Sequence, residues 1–241
     1  MMVAVPRLKI ALRLALREMR GGLSGFYIFL ACIALGTGSI AAVNSVSRAI
    51  TEAIAGQGQQ LLAGDIRFEL NNREATEQER AFLSGLGEMS VSTGLRSMAR
   101  KPDGSEQALV EVKAVDGAYP LYGEFKAEPA APLQELVAKQ GETFGALAAP
   151  LLLERLGIKT GDELLLGNIR LVLRGTIASE PDAVSDGFGF APRLMVSREA
   201  LQASGLMANG SLVEHAYKIK LRDPASRTGL ADRANREFPA A

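Results

Sequence analysis

Gly21–Ser47 reads GGLSGFYIFLACIALGTGSIAAVNSVS, 27 consecutive positions without Asp, Glu, Lys, Arg or His, bounded by Arg20 and Arg48. As a helix rising about 1.5 Å per residue this run is roughly 40 Å long, against a hydrocarbon layer of about 30 Å, and it predicts a transmembrane helix over 21–47. A secretory signal usually has about 7 to 15 apolar residues before a small-x-small cleavage site. Ser39-Ile40-Ala41 imitates such a site, but the length of the run favours retention in the membrane. Inside the run, Gly36-Thr37-Gly38-Ser39-Ile40-Ala41 fits the spacing G-x-G-x-x-A. A dinucleotide site with that fingerprint needs a short strand, a helix opening on the pyrophosphate and an acid about 20 positions further on. Glu52 is too early and sits in helical sequence, and Asp65 is too late. Ala34, Gly38 and Ala42 instead recur every four residues, a stripe of small side chains that lets a second membrane helix approach closely. These three are the predicted helix-packing residues.

The segment ahead, PRLKIALRLALREMRGG, sets Lys9, Arg13, Arg17 and Arg20 at intervals of four, four and three, and Leu8, Leu12, Ala15 and Met19 on another helical face. Residues 1–20 therefore read as an amphipathic helix at the membrane interface, its four cations on lipid headgroups and its apolar side on acyl chains. Five Lys or Arg against Glu18 alone before Gly21, with only Arg48 and Glu52 just after the run, orient the N-terminus to the cytoplasm. Everything after about Ser47 is then expected outside the cytoplasm. Phe26, Tyr27 and Phe29 fall where an aromatic belt would lie.

With 241 residues the chain can bury a core beyond this anchor, and 27 basic against 27 acidic residues leave no cationic surplus to suggest nucleic acid. The single Cys32 excludes an intrachain disulfide and reads as a small buried hydrophobe.

The helical pattern continues past the charge-free run through AAVNSVSRAITEAIAGQGQQLL, with Val43, Val46, Ile50 and Ile54 at helical spacing. DIRFEL alternates as a half-buried strand, and Thr76-Glu77-Gln78-Glu79 offers a capping box to a helix carrying Ala81, Phe82 and Leu86. SVSTGLRSMARK and QALVEVKAVD are strands joined at Pro102-Asp103-Gly104. The stretch from Ala118 to Pro150, richer in Pro, Ala and Gly, is the predicted subdomain junction. APLLLERLG then reads as a short helix, with strands on either side of Gly167-Asn168 and further strands in PRLMVS and SLVEHAYKIKL. Asp223-Pro224 predicts a last helix to about Phe238. The expected fold is α+β: residues 1–20 interfacial, 21–47 transmembrane, and 48–241 a two-part mixed α/β domain whose second, β-rich part spans about 126–210.

No G-x-x-x-x-G-K-[ST] loop, G-x-S-x-G or S-x-x-K is present, which leaves phosphate cradling and nucleophilic hydrolysis without their usual residues. His215, the one histidine, alternates within a strand and reads as structural, with no zinc partners at suitable spacing. Glu180, Asp182 and Asp186 could gather on a cation, but they miss the spacing of a calcium loop and read as turn-forming acids in a solvated loop. Phe188 and Phe190 in GFGFAP read either as a mobile contact or as plugs of the β unit. No catalytic, cofactor or metal residue is predicted, and the chain reads as a non-enzyme.

Several phrases, in order, resemble the N-terminal part of the YbbP-like ABC transporter permeases, within the wider class of FtsX-like and MacB-like permeases. They are LALREMRGGLSGFYIFLACIALGTGSIAAV, LLAGDIRFEL, VEVKAVDGAYPLYGEF, LLLERLGIKTGDELLLG, EPD at Glu180–Asp182, APR at Ala191–Arg193 and GSLVEHAY at Gly210–Tyr217. The resemblance implies a permease subunit of the bacterial inner membrane whose first helix leads into a MacB-like periplasmic core. It also implies a cytoplasmic ABC ATPase as partner, further transmembrane helices in the full-length permease, and motion passed to periplasmic cargo for export or extraction. The later membrane helices of that pattern are not in this sequence, so the chain is expected to be a truncated, N-terminal piece. The alternative is a complete single-pass protein with a periplasmic binding or adaptor domain.

Overall fold

The structure, a computed structural model, describes residues 24–62, 64–183, 191–207, 211–223 and 229–237. It divides into two compact units, Met1–Ala55 and Gly56–Ala241.

The first unit is built on α1, Ser24–Leu62, a helix of 39 residues that runs on to the end of the predicted helical pattern. Its segment Tyr27–Ser47, 21 residues with mean hydropathy 1.7, is long and apolar enough to cross a membrane, and none of it is covered by protein. At about 1.5 Å per residue it is about 32 Å long, the thickness of the hydrocarbon layer. Leu35, Ile40 and Val43 are 70%, 67% and 69% exposed. Burying each such side chain away from water is worth roughly 1.5–3 kcal/mol, so a helix bare on all sides is stable only in an apolar surrounding. Cys32 is exposed on this helix among the described residues, not buried as the sequence suggested. Thr37 Oγ1 and Ser39 Oγ donate to the carbonyls of Ile33 and Leu35 at 2.8 and 2.7 Å, so both hydroxyls are satisfied without water. The predicted interfacial helix with Lys9, Arg13, Arg17 and Arg20 lies outside the described residues.

The second unit opens with β1 (Ile66–Asn71), α2 (Glu77–Leu86), β2 (Gly87–Arg100) and β3 (Gln107–Val115). It continues through β4 (Lys126–Glu128), α3 (Leu133–Val137), β5 (Lys139–Gln140), β6 (Thr143–Ala148) and α4 (Pro150–Leu156). Then follow β7 (Glu163–Leu166), β8 (Ile169–Ser179), β9 (Arg193–Ser197), α5 (Arg198–Ala203), β10 (Val213–Leu221) and α6 (Leu230–Glu237). The strands make one mixed sheet in the order β1-β10-β2-β3-β9-β6-β8-β4, with β5 on β6 and β7 bridging β2 and β8. β3–β9 and β6–β8 are parallel pairs and the others antiparallel. The α+β class read from the sequence is the class observed.

Strand alternation gives the sheet two unlike faces. One face carries the aliphatic positions Val110, Val112, Leu194 and Val196, which join Leu152, Leu156 and Leu201 of α4 and α5 in the main core. Further along the same face Tyr217, Ile219 and Val91 pack with Leu83 of α2. The opposite face carries the polar set: Arg67 and Glu69 on β1, Glu214 and Lys218 on β10, Arg96 on β2, Glu111 and Lys113 on β3, Arg193 on β9.

The local signals settle into place. Gly104 at φ 72° closes the β2–β3 turn by donating to Lys101 O at 3.0 Å, while Asp103 Oδ1 accepts from Ser105 N at 2.9 Å. Gly167 at φ 55° makes the two-residue β7–β8 turn, and a Cβ there would lie 2.2 Å from Ser204 O, so no other residue fits. The stretch Ala118–Pro150 contains β4, α3, β5 and β6. α5 went unread, being six residues capped by Ser197 and too short for a periodic signal. The last helix is described over Leu230–Glu237, and the stretch 224–228 in which its predicted start falls lies outside the described residues.

The capping box of α2 is present: Thr76 Oγ1 accepts from Glu79 N at 3.3 Å and Glu79 Oε2 accepts from Thr76 N at 2.7 Å. Arg73 clasps the same carboxylate with two bonds of 2.8 and 2.7 Å. Arg73, aided by Thr76, outweighs burial and lowers the Glu79 carboxyl from an ordinary 4.5 to about 2. A depressed carboxyl stabilises the fold above its unfolded pKa and loses that contribution as pH falls through its folded one. Glu79→Gln is therefore expected to cost about 2 kcal/mol at neutral pH, allowing for the partly exposed arginine. The gap in urea unfolding free energy between variant and parent should narrow as pH is lowered from 4.5 toward 2.

Candidate functional site

The polar face of the sheet is half covered. The segment after β3 crosses it, fastened at Asp116, whose carboxylate accepts from Ser90 Oγ at 2.8 Å and Val91 N at 2.6 Å. Tyr122 fastens the far end by donating to Asp65 Oδ2 at 3.0 Å, and the same carboxylate oxygen accepts from Leu221 N at 2.9 Å. Beside this crossing, α3 closes a small core of Tyr119, Leu133, Leu136, Leu147 and Met195.

Beneath the crossing lies a water-excluded ion cluster. Lys113 of β3 and Lys218 of β10 are 1% and 0% exposed, and Asp182, at the end of the segment leaving β8, is 0% exposed. Lys113 Nζ is 2.8 Å from Asp182 Oδ1, and Lys218 Nζ donates to Asp182 Oδ2. Tyr119 OH donates to Asp182 Oδ1 at 2.5 Å, and the Lys113 ammonium lies 4.9 Å from the Tyr119 ring centre. Lys113 also pairs with Glu180, which Arg193 Nε approaches at 3.4 Å, and Arg193 Nη1 is 3.7 Å from Glu111. Burial pushes the Asp182 carboxyl up, but the two ammonium groups outweigh it and hold it well below the usual carboxylate range. The acids read as turn-formers in a solvated loop are thus corrected for Glu180 and Asp182: the lysines of two strands draw both inside. Asp186, Phe188 and Phe190 lie outside the described residues.

Sequence reading missed Lys113, Lys218 and Tyr119. Strand alternation puts both lysines on the polar face, and nothing local says that a segment 67 residues away from Lys113 covers it. His215 is buried on the core face with Thr93 Oγ1 3.0 Å from its Nδ1. Burial lowers its pKa and so favours the neutral imidazole, with Arg198 and Arg80 adding to this against the opposing pull of Glu74.

Where the crossing ends, the polar face opens into a groove of about 690 Å³. Its floor is Ser92, Gly94 and Ala216, residues too small to fill the space above them. Arg67, Arg96, Glu111, Arg193 and Glu214 stand around it, with Leu206 and Leu212 on one wall. Arg67 is paired with Glu214 at 2.9 Å and with Glu69 at 2.5 Å. Among the described residues no cluster of three or more His, Cys, Asp or Glu could hold a metal ion.

The predicted packing residues Ala34, Gly38 and Ala42 lie along exposed α1, and a Cβ on Gly38 would meet nothing within 4 Å. That helix and the sheet-rich unit behind it are what the ordered phrases led us to expect. Over 189 residues the chain is 29% identical to the uncharacterized ABC transporter permease YbbP of Escherichia coli (strain K12). The chain is similar to an ABC transporter permease. The YbbP-like resemblance read from the sequence is thereby borne out, over 78% of this chain, which spans 22% of that relative's length. No family model matches. Among solved structures, the extracellular domain of the noncanonic ABC-type transporter YknZ from Gram-positive bacteria aligns with TM-score 0.46 and 14% identity, over 69% of this chain and 86% of that one. The periplasmic region of MacB from Actinobacillus actinomycetemcomitans aligns with TM-score 0.45 and 7% identity, over 71% of this chain and 83% of that one.

The ion cluster gives a direct test of what pins the crossing to the sheet. Asp182→Asn leaves two buried ammonium groups short of a counter-charge and should lower unfolding free energy by about 3 kcal/mol or more. Adding Lys218→Met to Asp182→Asn should recover at least about 1 kcal/mol, since one uncompensated charge is then gone. Urea denaturation of the three proteins, followed by circular dichroism, reads both changes.

Proposed function

We propose that the chain supplies the first membrane helix and the periplasmic domain of an ABC permease subunit in the bacterial inner membrane, with its N-terminus in the cytoplasm. On this reading a cytoplasmic ABC ATPase drives the subunit, and the periplasmic domain, residues 48–241 with a second part from about 126 to 210, passes the motion to cargo for export or extraction. The observation that carries it is the 29% identity to YbbP across 189 residues of a chain that holds both a bare, membrane-length helix and a sheet-rich unit. The function is mechanical and binding in kind, as suits a relative named as a permease.

The bare helix supports the membrane part of the reading. Its stripe of Ala34, Gly38 and Ala42 is suited to close contact with other transmembrane helices of the permease, where small side chains let backbones approach. Lys9, Arg13, Arg17 and Arg20 would hold the N-terminal segment at anionic headgroups on the cytoplasmic side. Rigid helix is an efficient carrier of displacement, and α1 is unbroken from Ser24 to Leu62.

Two measurements test it. Reporter fusions before Gly21 and after Ser47 should report opposite sides of the membrane, and both on one side would end the reading. The full-length gene product should co-purify with an ABC ATPase, and Gly38→Ile should reduce the recovered complex by about threefold or more by separating the packed helices. A full-length product that never associates with an ATPase points to the single-pass adaptor instead.

A further inference from the structure

The groove on the polar face has a chemistry that the permease reading does not use. Gly94 and its cross-strand neighbours Glu214 and Lys113 form one row across the sheet, and Arg96, Glu111 and Arg193 form the next. A Cβ on Gly94 would meet nothing within 4 Å among the described residues, so the floor is open there. Most of the surrounding charge is matched within the fold: Lys113 and Arg193 by Glu180 and Asp182 below, Arg67 by Glu69 and Glu214. Arg96 differs. It is exposed, stands beside the open floor, and among the described residues has no ionic partner.

Of the side chains near Arg96, the acids Glu111 and Glu214 are held by Arg193 and Arg67, and the others on this face are apolar and exposed. Leu212, one residue before the Val213–Leu95 pair, is 84% exposed. The next row beyond Arg96 on the same face is the cross-strand pair Met98 and Leu109, 42% and 48% exposed. A guanidinium without an ionic partner among the described residues, beside bare aliphatic groups at the mouth of a cavity of about 690 Å³, complements a particular ligand shape. We propose that this groove binds a small amphiphilic anion, its carboxylate or phosphate on Arg96 over Gly94 and its apolar portion along Leu212 and Met98. Carboxylate and phosphate share the bidentate geometry that guanidinium prefers, so the head is identified by its charge and its two oxygens. The site needs neither ATPase nor further membrane helices, so its test and that of the permease reading fail independently.

The test uses the full chain in nanodiscs of zwitterionic lipid, with methionine methyl groups labelled with carbon-13. Met98, in the row next to Arg96 at the groove's edge, is the reporter, and Met89, whose side chain lies on the core face of β2, serves as the internal control. Hexanoate and hexyl phosphate are titrated as probes, with hexanamide as the neutral counterpart. The expected result is a saturable shift of the Met98 methyl signal with one or both anions, with Met89 unmoved. Arg96→Gln should then weaken binding about tenfold or more, the scale of a lost charge-assisted contact. Gly94→Leu should abolish it by filling the floor, with the circular dichroism spectrum unchanged because the added side chain enters empty space. Absence of a saturable Met98 shift with either anion overturns the proposal. So does hexanamide binding as tightly as hexanoate, or an Arg96→Gln protein that binds the anions like the parent.

Discussion

A carboxylate with no access to water, Asp182, sits between the ammonium groups of two strands, and the arrangement of the polar face follows from it. Lys113 and Lys218 belong to strands separated in the sheet by β2, so one acid ties two strands, across a third, to the segment that leaves β8. Two buried cations and one anion would be intolerable alone. Glu180 supplies the second negative charge, Tyr119 a further donor and a ring face, and Arg193 links Glu180 to Glu111 at the sheet surface. Such a cluster is a poor source of net stability compared with apolar packing, but it tolerates only one arrangement of its members. That makes it a registration device. The segment after β3 can lie across the sheet in only one position, since Asp116, Tyr119 and Tyr122 must all meet their partners together.

The same constraint explains why one half of the polar face is covered and the other is open. The covered half lies where Lys113 and Lys218 point toward Asp182, and α3 and Met195 complete a small core beside it. On the open half the floor changes to Ser92, Gly94 and Ala216, and no loop among the described residues crosses it. An ordinary solvated sheet face would carry longer polar side chains there, which cost nothing in water. Ser92 and Ala216 are themselves buried at the bottom of the groove, and Gly94, without a side chain, leaves backbone where a ligand can reach it.

How much of this was legible in the sequence depends on the range of the interaction. The membrane-length helix was readable because its signal is a property of one continuous segment, bare of charge from Gly21 to Ser47. Thr76 and Glu79 announced the start of α2 because a capping box acts within one helical turn. The Pro102-Asp103-Gly104 and Gly167-Asn168 turns were readable for the same reason. α5 was not, being shorter than two turns, and its start depends on a single Ser197 hydroxyl. The status of Glu180 and Asp182 was misjudged because local composition reports what a loop can do in water. It does not report that Lys113 and Lys218 wait under the place where the loop lands.

Strand alternation puts Lys113 and Lys218 on the face opposite Val112 and Ile219. It does not say that a polar face is a solvent face, since a face can be polar in order to hold buried partners. The distinguishing sign lies in the mixture of residue types along one face. Where lysines alternate with Val115 and are followed by an aromatic such as Tyr119, a cover is needed to bury the apolar members, and any cover must then answer the charges. Where the run passes through serine and glycine to an arginine, as from Ser92 through Gly94 to Arg96, the same face opens into a groove among the described residues.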